Sequence, residues 1–212
     1  MEQKDAIFAL SKAFADYIVT CYEPNMIEEL IERRYGYLLS HERRTVQNAL
    51  QTKIATKSSY MKILQKVQSC LEENNQVLIQ GIVQFRLKEY MEHLTRMVDE
   101  EVQHYELQQE QDAFLLLLRN FVESQMPLYE MVQFIVRENG TVDLLDADGD
   151  VIVYGCRGDV LLDTLLTIAP RSIVMHHMEL FLHEALLATI QRVFGGKISI
   201  CNGCALCGKI IT

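Results

Sequence analysis

Apolar residues recur every three or four positions through the first two-thirds of the chain. The first such stretch runs from Ala6 to Cys21, and its spacing is typical of an amphipathic helix. Pro24 follows at a place where a new helix can begin, because the N–H that proline lacks has no partner in a first helical turn. The clearest stretch runs from Val83 to Tyr105, and a further one covers about Glu110 to Ser124. The pattern predicts helices up to this point.

The pattern changes after Met126-Pro127, where short apolar runs alternate with turn residues. Asn139-Gly140 is a strong hairpin signal, since both residues tolerate a positive φ. The predicted strands and helices, in chain order, are Met131–Val136, Thr141–Leu145, Val151–Tyr154, the helix Asp159–Ile168, Ser172–His176, the helix Glu179–Phe194 and Lys197–Ile200. We therefore predict an α+β protein, in which a mostly helical portion (1–126) precedes a small mixed β-sheet with β-α-β units (127–212).

Composition and charge narrow the functional classes. Apolar residues make up 49% of the 212 residues and charged residues 23%, the balance of a folded globular protein. The net charge of −9 argues against a broad basic face, so we expect no nucleic-acid binding. The start of the chain is polar, and no apolar run reaches the roughly 18 to 20 residues that a membrane span needs. We expect a cytoplasmic protein, whose cysteines are thiols or metal ligands rather than disulfides.

The residues with the most chemistry are Cys201, Cys204 and Cys207, which form a C-x2-C-x2-C run around Gly203. Two intervening residues allow neighbouring thiolates to turn toward one metal ion. A zinc site or an iron–sulfur cluster needs a fourth ligand, and the cysteine that continues the usual bacterial cluster motif is missing here. A redox-active C-x-x-C pair and a run of reduced, purely structural thiols are the alternatives.

The predicted topology suggests where a fourth ligand lies. The last three predicted strands are joined by two helices, and strands joined in this way run parallel, so that their carboxyl ends meet at one edge of the sheet. Cys156 follows the first of these strands, and His176 and His177 end the second. Cys201 ends the third strand. The candidate metal ligands are therefore Cys201, Cys204, Cys207, His176, His177 and Cys156.

Several segments resemble one protein family. They are QFRLKEY at Gln84–Tyr90, LLRNFV at Leu117–Val122, the tail from Val193 to Cys207, and RYGY at Arg34–Tyr37 followed by His41–Arg43. Together they resemble the YtxC-like proteins of endospore-forming bacteria, over most of the chain and most specifically in the cysteine tail. The resemblance implies a place in sporulation, and it brings no established reaction, substrate or catalytic residue.

These observations favour a non-enzymatic sporulation protein that acts by binding another protein. The chain contains no catalytic motif, and its helices offer a large surface. The alternative is a protein that uses its C-terminal cysteines to bind zinc or an iron–sulfur cluster, or for thiol redox chemistry. The sequence leaves enzymatic activity and the oligomeric state open.

Overall fold

A computed structural model describes residues 2–54, 57–73 and 78–209. The chain forms two compact units, Met1–Gln108 (unit 1) and Gln109–Thr212 (unit 2). The change from helix to strand falls later, between Ser124 and Met131. The domain division at 126/127, between a helical portion and a sheet portion, stays a prediction. The boundary between the two compact units lies at Gln108/Gln109, within a helix.

Unit 1 is built from helices. Its elements are α1 (Glu2–Tyr17), a π-helical turn (Ile18–Tyr22), α2 (Glu23–Arg34), α3 (Ser40–Ile54), α4 (Lys57–Glu73), the short α5 (Ile79–Gly81), a second π-helical turn (Ile82–Arg86) and the first part of α6 (Lys88–Ser124). Apolar side chains spaced by helical turns form two clusters. One is centred on Ile18, Ile63 and Val67, and the other on Ile31 and Leu50.

Buried acidic side chains in unit 1 have polar partners. The Tyr90 hydroxyl donates to the Glu23 carboxylate at 2.5 Å, and Glu23 is only 4% exposed. Lys53 pairs with the buried Glu101. Burial raises the pKa of Glu23, and the hydrogen bond from Tyr90 partly opposes this effect. These pairs satisfy groups that would be costly to bury alone.

The helix α6 is continuous over 37 residues, from Lys88 to Ser124. The sequence predicted two stretches with an interruption after Tyr105, and that interruption is wrong. The polar residues between the two stretches hide the apolar periodicity, yet glutamate and glutamine are good helix formers. Across the described residues, α6 included, no helix combines the length and the apolar character needed to cross a membrane.

Unit 2 places the rest of α6 against a five-stranded sheet with further helices. Its strands are β1 (Met131–Val136), β2 (Val142–Leu145), β3 (Val151–Cys156), β4 (Ser172–His176) and β5 (Ile198–Ile200), and its helices are α7 (Gly158–Ile168), α8 (Glu184–Phe194) and α9 (Ala205–Lys209). The strand order is β3-β2-β1-β4-β5. The first three strands pair antiparallel, whereas β4 pairs parallel with both β1 and β5. The predicted fold class is confirmed.

Two boundaries in unit 2 differ from the sequence prediction by more than one residue. The helix predicted from Glu179 begins at Glu184, after a 3-10 turn at Met178–Leu180. Phe181 lies between them in extended backbone, and its buried ring packs edge-to-face on Phe134, with 5.7 Å between the ring centroids. This packing is incompatible with a helix that begins earlier. Cys156 is the last residue of β3 rather than part of the loop that follows.

Candidate metal centre

The parallel pair β4 and β5 brings His176 and Cys201 together. Met175 is the register partner of Ile200, and the backbone N–H of Cys201 donates to the Met175 carbonyl at 2.8 Å. This bond extends the strand pairing by one residue beyond β5. Since parallel strands end at the same edge, the residues that follow Met175 and Ile200 become neighbours.

A tight turn after β5 returns the chain toward His176. Gly203 adopts φ +121°, a conformation that side-chain-bearing residues rarely adopt. Its N–H donates to the Cys201 sulfur at 3.3 Å. The short helix α9 begins at Ala205, so that Cys204 precedes the helix and Cys207 lies within it. The turn and the helix place the three cysteines on a compact loop.

The ligand-type atoms of His176, Cys201, Cys204 and Cys207 lie within 4.8 Å of one another, and we call these residues the histidine–cysteine cluster. His176 Nδ1 is 3.3 Å from the Cys207 sulfur and 3.6 Å from the Cys204 sulfur. The Cys207 sulfur is 3.7 Å from that of Cys204 and 3.8 Å from that of Cys201. Three soft sulfur atoms and one imidazole nitrogen therefore surround a common point.

Burial and local hydrogen bonds favour the metal-binding forms of two of these side chains. Burial lowers the pKa of His176, and the neighbouring His177 lowers it further, which favours the neutral imidazole that metals bind. The backbone N–H of Cys207 lowers the pKa of Cys204, with a smaller contribution from the N–H of Leu206. Burial raises the pKa of Cys207. The exposed Cys204 is therefore the more easily ionised of these two thiols.

The two neighbouring histidines differ in their contacts. His176 is 2% exposed, and its Nδ1 lies beside sulfur atoms, whereas His177 Nδ1 lies 3.3 Å from the carboxylate of Glu179. His177 also adopts a left-handed backbone conformation, with φ 54°. The Nε2 atoms of both rings are buried without a hydrogen-bond partner. Such orphaned buried nitrogens are uncommon, and they often mark a functional site or an unseen ligand.

The structure separates Cys156 from the cluster. The strands β3, β4 and β5 share one direction, as expected, but β2 and β1 lie between β3 and β4. At roughly 5 Å per strand, Cys156 is about 14 Å from β4 across the sheet. The expectation that Cys156 converges with the histidines and the other cysteines is wrong, because α7 connects strands that are not neighbours. Burial raises the pKa of Cys156, which suits a thiol that packs in the core.

The sequence identified the four cluster residues among its six candidates. His177 lies next to the cluster in sequence but is not a member of it. Sequence reasoning missed the backbone N–H groups of Gly203, Leu206 and Cys207 that approach the cysteine sulfurs. The glycine between the first two cysteines is the signal that could have indicated such a turn.

The fold and the cluster together define a class: an α+β protein with a histidine–cysteine cluster at the carboxyl edge of a mixed sheet. A sequence model of the YtxC-like family matches residues 8–157, well over half of the chain, and the chain belongs to that family. The match includes the segments at Gln84–Tyr90 and Leu117–Val122, and it ends before His176 and the cysteine tail. Membership therefore rests on residues other than the cluster. Searches of curated proteins and of solved structures found no match to this chain.

Proposed function

We propose that the chain binds one Zn²⁺ through His176 Nδ1 and the thiolates of Cys201, Cys204 and Cys207. The observation that carries the proposal is the spacing of the four ligand atoms, which lie within 4.8 Å of one another. Zinc in structural sites takes four such nitrogen and sulfur ligands, and a set of three cysteines with one histidine is among its common combinations.

Four of the six separations between the ligand atoms match those around a single ion, and the other two are at most 4.8 Å. With Zn–S bonds near 2.3 Å and Zn–N bonds near 2.0–2.1 Å, a tetrahedron places two sulfurs ~3.8 Å apart and a sulfur and a nitrogen ~3.6 Å apart. The sulfur–sulfur distances from Cys207 are 3.7 and 3.8 Å. The nitrogen–sulfur distances from His176 are 3.3 and 3.6 Å. One ion can contact all four atoms with little movement.

The same spacing favours zinc over a [4Fe–4S] cluster. A [4Fe–4S] cluster binds each cysteine through a different iron atom, so its ligand sulfurs lie farther apart than those on one ion. The contacts of Cys207 with the other two sulfurs are too short for that arrangement. Thiolate and imidazole together suit zinc among the abundant divalent metals.

The proposed role of the ion is structural. Four protein ligands close a tetrahedral site and leave no position for the water molecule that a catalytic zinc holds. The ligands come from the end of β4 (His176), the residue after β5 (Cys201) and the loop with α9 (Cys204, Cys207). The ion would fix this loop, which lies between the three-residue β5 and the five-residue α9, to the edge of the sheet.

Metal analysis of the purified chain tests the proposal. The reduced protein is expected to hold about one zinc per chain. A Cys201→Ser, Cys204→Ser double variant is expected to lose it, while Cys21→Ser, which alters an exposed cysteine outside the cluster, should retain it. Visible colour with iron in place of zinc, or equal zinc in all three proteins, would overturn the proposal.

We also propose that the chain acts in the cytoplasm during sporulation, the role that its family resemblance implies. A reducing compartment suits the proposed thiolate ligands. In a spore-forming host that carries this chain, its deletion should lower the yield of heat-resistant spores, and the wild-type chain should restore it. An unchanged spore yield after deletion would contradict this role.

A third proposal is that the part of α6 in unit 2 binds an apolar helix of another protein. Phe114, Leu117 and Phe121 are 59%, 66% and 51% exposed, and their spacing of three and four places them on one face. The side of α6 that carries Leu118 and Val122 packs on the core of unit 2. An exposed apolar stripe with this spacing is the seam on which a second helix packs.

Site-specific crosslinking in sporulating cells tests this third proposal. A photo-reactive residue at position 117 should crosslink to one helical segment, whose contacting residues mass spectrometry then identifies as apolar. The same residue at position 119, where Arg119 pairs with Glu123, serves as the control. Equal crosslinking at both positions would contradict a specific helix–helix contact.

A further inference from the structure

The three sulfurs of the histidine–cysteine cluster differ in their access to solvent. Cys204 is exposed, whereas Cys201 and Cys207 are half-buried. Reaction of a thiolate with a disulfide in solution requires direct approach to the sulfur, so accessibility selects the first cysteine to react. That cysteine is Cys204.

The sulfur placed to complete the reaction is that of Cys207. It lies 3.7 Å from the Cys204 sulfur, and a disulfide needs ~2.05 Å, so a small side-chain movement joins them. Cys201 is almost as close to Cys207, at 3.8 Å, but it is half-buried, whereas Cys204 is exposed. The backbone N–H of Cys201 also bonds to the Met175 carbonyl, which ties this residue to β4. The loop residues Cys204 and Cys207 are therefore the pair most able to combine.

We infer that the cluster is a redox-controlled metal site, in which a Cys204–Cys207 disulfide forms in exchange for the bound Zn²⁺. The inference rests on the zinc site proposed above. The oxidant is a low-molecular-weight disulfide of the glutathione type. The Cys204 thiolate attacks it, forming a mixed disulfide and releasing one small thiolate. The Cys207 thiolate then attacks the Cys204 sulfur and releases the second small thiolate.

The oxidation and the reduction in this exchange balance. Two protein thiolates are oxidised to one protein disulfide, and one small disulfide is reduced to two thiolates. The ion loses two of its four ligands and keeps only His176 and Cys201, too few for a closed tetrahedral site. The metal leaves, and the loop that contains Gly203 loses the link to His176 that the ion provided, while the hydrogen bond from Cys201 to Met175 remains. A thiol reductant with fresh zinc reverses each step.

The test uses the full chain, reduced and loaded with zinc. Oxidised glutathione is added in the presence of a chromogenic zinc chelator, and the disulfides are mapped by mass spectrometry of peptides. We expect about one zinc released for each Cys204–Cys207 disulfide formed, and recovery of zinc binding after dithiothreitol and zinc are supplied. The Cys21→Ser protein should behave identically.

The outcomes separate this inference from the zinc site itself. A reduced chain that holds no zinc would overturn both. A chain that holds zinc but keeps it under oxidation, or releases it with a disulfide that involves Cys201, would overturn the redox inference alone. A Cys201→Ser variant provides a metal-independent check, since it should still form the Cys204–Cys207 disulfide. Only mixed disulfides with glutathione in that variant would also contradict the inference.

Discussion

The two units differ in how completely they satisfy their buried polar groups, although unit 2, like unit 1, pairs a buried carboxylate, that of Asp143 with Arg137. In unit 1 the buried carboxylates of Glu23 and Glu101 have partners, in Tyr90 and Lys53. In unit 2 the ring nitrogens Nε2 of His176 and His177 are buried with none, and among the described residues they are the side-chain nitrogen and oxygen atoms for which this holds. One of these rings also faces three cysteine sulfurs.

This difference distinguishes buried polar pairs that support the fold from buried polar atoms that could take part in a functional site. A buried pair such as Tyr90–Glu23 completes itself within the protein and needs no ligand. The histidine–cysteine cluster is not complete in that sense, since soft sulfur atoms are poor hydrogen-bond partners for a histidine. A metal ion would satisfy His176 Nδ1 and the three sulfurs at once, while the two Nε2 atoms lie outside its ligand set. The comparison therefore predicts that unit 2 responds to metal and unit 1 does not.

The largest expected effect is that of metal removal on the sheet of unit 2. At zinc concentrations about a thousandfold above the dissociation constant, binding adds ~4 kcal/mol to the stability of the segments that hold it. Amide hydrogen exchange in Ser172–His176 and Ile198–Ile200 should accelerate strongly when a chelator removes the metal. Exchange in α2 of unit 1 is the internal control, and it should not change. Equal acceleration of exchange in both units, or no acceleration in either, would contradict the proposed difference between them.

Replacement of each histidine sharpens the comparison between the two rings. His176→Ala removes the nitrogen that lies beside the sulfurs. Loss of a residue that only orients a metal ligand lowers metal affinity by up to ~100-fold, so loss of the ligand itself should lower zinc affinity by at least that factor. His177→Ala should retain affinity within roughly tenfold, because the Nδ1 of that residue contacts Glu179 instead. Competition with a chelator of known affinity measures both. Equal losses in the two variants would mean that the ligand is misassigned.

Tyr90→Phe tests the self-contained pairing in unit 1. The substitution leaves the buried Glu23 without its hydroxyl partner, and the free energy of unfolding should fall by about 1–3 kcal/mol. Tyr17→Phe, at a tyrosine that is 48% exposed, is the matched control and should change stability much less. Urea denaturation, followed through the circular dichroism signal of the helices, gives both free energies of unfolding. A loss in Tyr90→Phe no greater than in the control would show that the pair contributes little.

Glu23→Gln gives the smallest effect, and it appears as a pH dependence. Burial raises the pKa of Glu23 above 4.5, so the folded state binds this proton more tightly than the unfolded state does. The resulting stabilisation is present below pH 4.5 and is lost as the pH rises through the folded pKa. Relative to Glu23→Gln, the wild-type chain should therefore become less stable as the pH increases over that window. A difference that is constant with pH, or that grows in favour of the wild type, would contradict the sign of the shift.

The strands and most helices of the fold could be predicted because apolar runs and turn residues mark them directly. Two of the errors in helix bounds have tertiary or local causes: polar residues obscure the continuity of α6, and the packing of Phe181 on Phe134 accompanies the later start of α8. No local signal in the sequence indicates how many strands lie between β3 and β4, the two strands that α7 connects. The position of β3 at the far edge of the sheet was therefore beyond sequence reasoning.

The residues of the candidate site could be predicted where the order of the neighbouring strands could be predicted. The adjacency of β4 and β5 follows from a simple β-α-β connection, and it places His176 beside the cysteine run as expected. Cys156 was misplaced because β2 and β1 separate its strand from β4. The choice between the two adjacent histidines depends on backbone geometry, since His177 is in the left-handed region, and the residue types alone do not reveal this.

X-ray absorption at the zinc edge of the reduced, zinc-loaded chain tests the central claim most directly. The account predicts a first coordination shell of three sulfurs at about 2.3 Å and one nitrogen at about 2.0–2.1 Å. A shell of nitrogen and oxygen atoms alone, or one with fewer than three sulfurs, would contradict it.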